Sequence, residues 1–209
     1  MDRQASNTDD VMVSAVKRDA PGLPRRAIDA ALIARSISGD EAASRALHAH
    51  YYPIASAFLR KLGTQPGDVE DVCQDVFIQF FRWLPTFRGE SQLQTWLFRV
   101  CVTQARRARR RRKVSDLVAS LLACAAREDI VRPADTSDGT MVERALARMG
   151  SDIRSTFVLF ELEGLSGKQV AEILRCPEPT VWRRLHDARR IFRETFEGEP
   201  TQAQTGGAE

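Results

Sequence analysis

The densest concentration of chemically active side chains is a basic block at residues 99–113. Its fifteen residues hold seven arginines and one lysine, with no acidic residue among them. Subtracting this charge of +8 from the net charge of +3 leaves −5 on the rest of the chain, so the protein is electrically polarised. Salt bridges along one helix do not balance a block this dense, and its natural partner is a polyanion bound through phosphate neutralisation.

Aromatic side chains are concentrated immediately before the basic block. Seven of the fifteen aromatic residues fall within 22 positions. They are Phe77, Phe80, Phe81, Trp83, Phe87, Trp96 and Phe98. Most of these rings are expected in a core, Trp96 among them, because they sit between apolar neighbours. Rings beside a basic run are also typical of surfaces that stack unpaired bases while cations hold the backbone.

Other reactive residues are weak candidates for catalysis or metal binding. The four cysteines are far apart in sequence, which favours reduced thiols packed as small apolar groups and leaves open whether any is redox-active. They are Cys73, Cys101, Cys124 and Cys176. His48 and His50 would point to different faces of a helix. The acidic residues between positions 68 and 75 suggest a nuclease metal site as one alternative, but no base accompanies them. We expect no catalytic residue, metal or cofactor.

The elements that position these residues are predicted to be helices. Apolar residues recur three and four positions apart through most of the chain and never alternate over a strand's length, so the fold is predicted to be all-α. The clearest helix covers residues 68–84, and its outer face holds an isoleucine among polar side chains. A solvated face with one stray isoleucine and a docking stripe explain this pattern equally well. The stripe consists of Asp71, Gln74, Asp75, Ile78 and Arg82.

Proline and polar residues divide the rest of this half of the chain. Pro85 ends the predicted helix, and Ser91 is expected to cap the next one, which carries the basic block. From Val114 onwards the apolar pattern weakens; the spacing of Leu117, Leu121 and Cys124 allows the helix to extend, whereas residues 132–139 have the composition of a linker. We therefore predict a flexible linker over residues 114–139.

The two ends of the chain lack a sustained apolar period, so residues 1–27 and 198–209 are predicted to be mobile tails. No stretch approaches the roughly eighteen apolar residues of a membrane span, and the acidic start is unlike a signal peptide. We expect a cytoplasmic protein that does not insert into membranes and has no small-molecule substrate.

A second helical module is predicted over residues 140–197. Ser166 and Gln169 form a capping box, a tight turn follows, and a last helix begins near Pro179. A short capped helix, a turn and a helix with a basic outer face are typical of a helix-turn-helix, whose second helix enters the major groove. Generic helix pairs share the pattern, but an exposed tryptophan at position 182 among arginines favours DNA binding.

A duplex reader and a single-strand binder in one chain suit a transcription initiation factor, and the motifs agree. Residues 68–77 (DVEDVCQDVF), 84–91 (LPTFRGES) and 95–100 (TWLFRV) resemble domain two of the extracytoplasmic-function (ECF) class of bacterial RNA polymerase sigma factors. Residues 163–174 (EGLSGKQVAEIL) and 180–189 (TVWRRLHDAR) resemble domain four of that family. The resemblance implies two small helical domains, at 28–113 and 140–197, joined by the linker.

The resemblance also implies roles for individual residues. The docking stripe would contact the clamp helices of the largest polymerase subunit, β′. The following loop and helix would capture the melted non-template strand of the minus-ten element, with a base flipped into a protein pocket, and Phe87 is the expected base-contacting ring. The candidates are Phe87, Arg88, Ser91, Trp96, Arg99, Thr103, Arg106 and Arg107.

The second module would bind the minus-thirty-five element as duplex and touch the flap of the β subunit. Its candidate DNA contacts are Thr180, Trp182, Arg183, Arg184, His186 and Arg189. The family further implies an anti-sigma factor that holds the protein inactive. The promoter sequence, the genes served, the inducing signal and the identity of the inhibitor stay open.

Several residues depart from the family pattern. Thr103 stands where asparagine is usual and Arg107 where aspartate is usual, so base choice at the minus-ten element is open. Trp182 replaces a basic residue, and Asp187 stands where arginine is common. Asp187 can accept from a cytosine amino group or pair with Arg183 or Arg190. A helix-turn-helix regulator that binds duplex DNA without polymerase is the second hypothesis; it predicts specific binding by the chain alone.

Overall fold

The computed structural model describes residues 30–89, 92–126 and 140–197, and of residues 120–126 it describes the backbone alone. Within these ranges the chain forms eight α-helices and no strand, which confirms the all-α prediction. The predicted tails at 1–27 and 198–209 lie outside the described residues.

The first half of the chain contributes four helices. They are α1 (Ala30–Ile37), α2 (Glu41–Lys61), α3 (Val69–Trp83) and α4 (Leu93–Ala126). Short 3₁₀ turns at Pro66–Asp68 and Leu84–Thr86 flank α3, because a proline at the start of each turn needs no amide partner. The predicted helix at 68–84 is confirmed to within one residue at each end.

The core of this half lies between α2, α3 and α4. The rings of Phe58 and Phe98 stack with centroids 4.3 Å apart, and both side chains are almost completely buried. Phe80 from α3 packs against Tyr51 of α2 and Trp96 of α4. Aromatic packing of this kind fixes the three helices relative to one another, and with them the outward faces of α3 and α4.

The long helix α4 extends into the first half of the predicted linker. The structure continues α4 without a break to Ala126, so residues 114–126 are helical, and the remaining part of the linker, at 127–139, lies outside the described residues. Val114 and Leu117 are both about three-fifths exposed and do not face a core, which explains why the apolar pattern weakens from residue 114.

The second half contributes four further helices. They are α5 (Met141–Arg148), α6 (Ser151–Phe157), α7 (Gly167–Leu174) and α8 (Glu178–Glu197), with a π-helical segment at Val158–Leu162 continuing α6. The predicted capping box is present, since the Ser166 hydroxyl accepts from the Gln169 amide and the Gln169 side chain accepts from the Ser166 amide. Arg175, in the left-handed conformation at φ 54°, ends α7 and directs the chain into α8. The helix-turn-helix is confirmed as α7 and α8.

The two halves pack against each other through an arginine. The Arg154 guanidinium, from α6, donates to the carbonyls of Lys61 (2.6 Å) and Arg60 (3.2 Å) at the end of α2. Gly63, at φ +83°, follows α2, and a Cβ there would lie 2.7 Å from Arg154 Nη1. Lys61 also pairs with Glu163 at 2.9 Å. The turn after α2 therefore needs glycine both for its backbone conformation and for the space the arginine occupies.

Replacing this arginine tests how the halves are held. Arg154→Ala removes two charge-assisted hydrogen bonds at the end of α2, and we expect it to weaken the packing by about 2 kcal/mol. Small-angle X-ray scattering should show a larger radius of gyration, while circular dichroism stays helical. Arg148→Ala is the matched control, because Arg148 bonds to Thr195 within the same half. Equal scattering from both variants would contradict the role given to Arg154.

Candidate polymerase and nucleic-acid interfaces

The docking stripe lies on one accessible face of α3. The valines and phenylalanines of this helix recur three and four positions apart and are turned into the core, which leaves the polar positions and Ile78 outside. Ile78 is 69% exposed, the highest value among the large apolar side chains of the described residues. Asp71, Gln74 and Arg82 are exposed, and Asp75 is partly covered. The structure thus brings the five predicted residues together on one surface.

The candidate base-contacting rings form the edge of the first core. Phe87 is half-buried, and its ring lies 5.8 Å from that of Trp96, which in turn lies 5.3 Å from Phe80. Trp96 is therefore a core-edge residue, as expected. Arg88 is exposed next to Phe87. Ser91, predicted to cap the following helix, lies outside the described residues, and that helix begins at Leu93.

The basic block of α4 is partly neutralised by other elements. Arg111 pairs with Asp75 at 2.9 Å, and Arg112 pairs with Asp68 at 2.8 Å. Both acids belong to or adjoin α3. The acidic partners that α4 does not supply to its own arginines therefore come from a neighbouring helix. Arg107 is exposed, as are its basic neighbours from Arg110 onwards. The α4 surface therefore keeps a strong positive field beside the docking stripe.

Two further arginines of α4 face the second half of the chain. Arg99 and Arg106 donate at 3.4 Å to the carbonyls of Glu172 and Leu174 in α7. Arg106 also lies 3.4 Å from an oxygen of Asp152. Thr103 donates its hydroxyl to the Arg99 carbonyl one turn earlier. Arg106 is therefore engaged within the protein in this arrangement of the halves.

The outer face of α8 carries both strongly exposed residues and residues paired with other parts of the protein. Trp182, Arg183 and His186 are exposed side by side, and Thr180 is half-buried. His186 Nδ1 lies 3.9 Å from Asp187, the residue whose partner the sequence left open. Arg190, one of the arginines suggested for Asp187, pairs instead with Glu194.

Arg184 and Arg189 have partners inside the protein. Arg184 pairs with Asp152 at 2.7 Å, and Arg106 of the first half pairs with the same carboxylate at 3.4 Å. One carboxylate thus pairs with two of the candidate DNA-binding arginines, one from each half of the chain. Arg189 donates through Nε and Nη2 to a single oxygen of Glu161, which is 6% exposed. Arg189 therefore holds a buried carboxylate in addition to its predicted contact with DNA.

Asp152, Arg154 and Glu161 were not singled out from the sequence. Asp152 is 46 and 32 positions from its two arginines, and Glu161 is 28 positions from Arg189. No local pattern reports a pairing over such distances. The only sequence signal was an acid in an otherwise apolar run, Phe160 to Leu162, where a buried charge requires a partner.

The described residues give little support to a reactive cysteine, a metal site or a membrane span. Burial raises the pKa of the Cys73 thiol and raises that of Cys101 well above its ordinary value, so both pack as small apolar groups, as predicted. Cys176 is half-buried, and the side chain of Cys124 lies outside the described residues. Within the described ranges no three histidine, cysteine or acidic residues are placed to share a metal ion, and none of the helices has the length and apolarity to cross a bilayer.

Comparison with known proteins assigns the two halves to one class. Residues 47–114 match the family described as Sigma-70 region 2, and residues 140–191 match the family described as Sigma-70, region 4. The structure of CnrH in complex with the cytosolic domain of CnrY superposes with a TM-score of 0.58 at 23% identity, covering 81% of this chain and 97% of that one. The sigma factor RpoE from Bartonella quintana, in complex with the anti-sigma factor NepR, gives a TM-score of 0.57 at 22% identity, covering 75% and 98%.

Sequence relatives give the particular family. The ECF RNA polymerase sigma-E factor of Haemophilus influenzae is 33% identical over 178 residues, covering 78% of this chain and 93% of the relative. The sigma-E factor of Escherichia coli K12 is 34% identical over 177 residues, covering 78% and 92%. The chain belongs to the ECF RNA polymerase sigma factors. It is accordingly a transcription initiation factor and not an enzyme.

Substitutions of two arginines of α8 distinguish a role in DNA contact from a role in stability. Arg183→Ala removes an exposed cation, so we expect weaker duplex binding with a salt slope lower by about one, and an unchanged melting temperature. Arg189→Ala leaves the buried Glu161 without its partner, so we expect a loss of about 3 kcal/mol in the free energy of unfolding. Urea denaturation and salt-dependent binding to promoter duplex measure the two effects. A stable Arg189→Ala protein would contradict the structural role.

Proposed function

We propose that the exposed stripe on α3 is the surface through which the chain binds core RNA polymerase. Ile78 supplies an apolar centre, and the surrounding Asp71, Gln74 and Arg82 supply a polar rim, which is the anatomy of a protein interface. The partner surface is the clamp helices of β′. The Asp75 carboxylate exchanges its internal partner, Arg111, for a cation of the polymerase.

The first half of the chain captures the opened minus-ten strand. Phe87 offers a half-buried ring at the edge of the core, Arg88 stands beside it, and α4 carries exposed cations along the next turns. A ring contact stabilises an unstacked base by about 1–3 kcal/mol, which offsets part of the cost of melting. We assign residues 28–113 to this task and to polymerase docking.

The second half reads the minus-thirty-five element as duplex. In α8 the exposed residues Trp182, Arg183 and His186 lie in the first three turns, where a recognition helix meets base edges. We assign residues 140–197 to this element and to the β flap, and residues 114–139 to the connection between the two sites.

Promoter binding requires the halves to exchange internal contacts for DNA contacts. Arg106 and Arg184 both use Asp152 when the halves are packed together, so neither is fully available to phosphate. Polymerase that holds the two halves apart would release Arg106 from Asp152, whereas the pair of Arg184 and Asp152 lies within the second half and would remain. We therefore propose that the isolated chain binds promoters poorly.

An anti-sigma factor is a further proposed partner. Structures of CnrH and RpoE, which share this fold, are complexes with the cytosolic domain of CnrY and with the anti-sigma factor NepR. An inhibitor that stabilises the packed arrangement would keep the contact between Arg106 and Asp152 in place. We propose that the protein acts in the cytoplasm, where polymerase and its promoters are found.

The observation that carries the proposed function is the presence of two separate accessible surfaces on helices from different halves. They are the docking stripe on α3 and the exposed face of α8 that holds Trp182, Arg183 and His186. Runoff transcription with core polymerase tests it: we expect initiation at specific start sites only when the chain is added. Band-shift assays with the same promoters should show weak binding by the chain alone. Specific, tight binding without polymerase would favour the duplex regulator instead.

The docking stripe has its own test. Asp75→Arg combined with Ile78→Ala reverses a charge and removes the apolar centre, so we expect at least tenfold weaker binding to core polymerase and an unchanged fold. Co-purification and circular dichroism measure the two properties. Arg111→Ala is the matched control, because it breaks the same ion pair with Asp75 and leaves the stripe intact. Retained binding by the double variant would contradict the assignment.

A further inference from the structure

Trp182 is an unusual residue for its position. Its side chain is 48% exposed in the second turn of α8, directly beside the cationic Arg183. An exposed indole neither neutralises phosphate nor is well solvated, so the charge argument that explains its neighbours does not explain it. Its role has to be sought in the apolar surface of the ring.

Two residues hold the indole in one place. The ring of Phe160 meets it nearly at right angles, with an interplanar angle of 77° and centroids 5.4 Å apart. On another side the ring covers Gly167, the first residue of α7, where a Cβ would lie 2.7 Å from Trp182 Cζ2 and 3.2 Å from Cη2. The backbone of Gly167 is helical, so any residue could adopt its conformation. Glycine is needed there for the space that the indole occupies.

The exposed part of the indole therefore faces outward as a fixed apolar surface. In a helix-turn-helix the early residues of the second helix meet base edges in the major groove. Those edges present hydrogen-bonding groups with one apolar exception, the C5 methyl of thymine. The apolar face of a rigid indole fits that methyl better than the polar edges, because contact of the ring face with a polar edge would bury unpaired donors or acceptors.

We infer that Trp182 is a specificity-determining residue that reads the methyl group of one thymine in the upstream duplex element, and that Phe160 and Gly167 are positioning residues that hold its ring. This inference rests on the proposed function, in which α8 enters the major groove. It assigns the chain a preference that its arginines do not supply, since arginines at a groove contact guanine or phosphate.

The test uses the full chain with core polymerase. Promoters that support initiation are selected from a library randomised across the upstream element, and each thymine of a selected promoter is then replaced by deoxyuridine, which removes only the methyl. Loss of one buried methyl contact corresponds to about fourfold. We expect the wild-type chain to lose about fourfold in promoter binding at one position and little at the others.

The Trp182→Ala variant shows whether the sensitivity to the methyl group depends on the indole. We expect it to bind the thymine promoter about fourfold more weakly and to be indifferent to deoxyuridine at the sensitive position. Equal sensitivity of the variant and the wild type, or a wild type insensitive at every position, would overturn the inference while initiation itself survives. Failure of the wild type to initiate from any member of the library would overturn the proposed function, and the inference with it.

Gly167→Ala tests the positioning residues without touching the indole. Its methyl group displaces the ring, so we expect the same loss of thymine preference as in Trp182→Ala, although alanine is a better helix former than glycine. Gly150→Ala is the matched control, because a Cβ at Gly150 meets nothing within 4 Å. Full methyl sensitivity in Gly167→Ala, or equal loss in both glycine variants, would show that the contact with Gly167 does not position Trp182.

Discussion

A guanidinium resting on the end of a helix is the contact on which the arrangement of this molecule depends. The last carbonyls of α2 carry the negative end of the helix dipole, and Arg154 from the other half of the chain satisfies two of them. Burial, together with the charge of Arg109, lowers the pKa of Arg154 to about 10. The group is still charged at neutral pH, so the contact does not switch over the physiological range.

The cations that hold the halves together overlap with those proposed to hold DNA. Arg106 and Arg99 of the first half reach Asp152 and the carbonyl of Glu172 in the second half, and Arg184 shares Asp152 from within the second half. Each of these contacts is partly exposed and individually worth about 1 kcal/mol or less. A DNA phosphate can replace these protein partners with little loss of free energy. The packing of the two halves and the binding of DNA therefore compete for the same arginine side chains. The pair of Arg189 and Glu161 behaves differently, because Glu161 is buried and breaking the pair leaves its charge inside the protein.

Sequence pattern was informative where a residue's role is decided within one helix. The bounds of α3, its outward stripe and the capping box of α7 follow from spacing alone, because apolar period and caps are local properties. The spacing left open whether residues 114–126 are helical or part of the linker, since exposed residues such as Val114 and Leu117 make no regular core pattern. The partners of Arg106 and Arg189 were missed because ion pairs across a bundle have no sequence spacing to detect.

The continuation of α4 limits how far apart the two DNA-reading surfaces can be held. Thirteen residues in a helix advance about 20 Å, less than half of what they would span when extended. Even at full stretch, residues 127–139 add at most about 45 Å. Each extra base pair between two promoter elements separates them by about 3.4 Å and also rotates one about the duplex axis. A connection whose first part is a rigid helix adapts to such changes less readily than a fully flexible one. We therefore expect this protein to accept only a narrow range of distances between the two promoter elements.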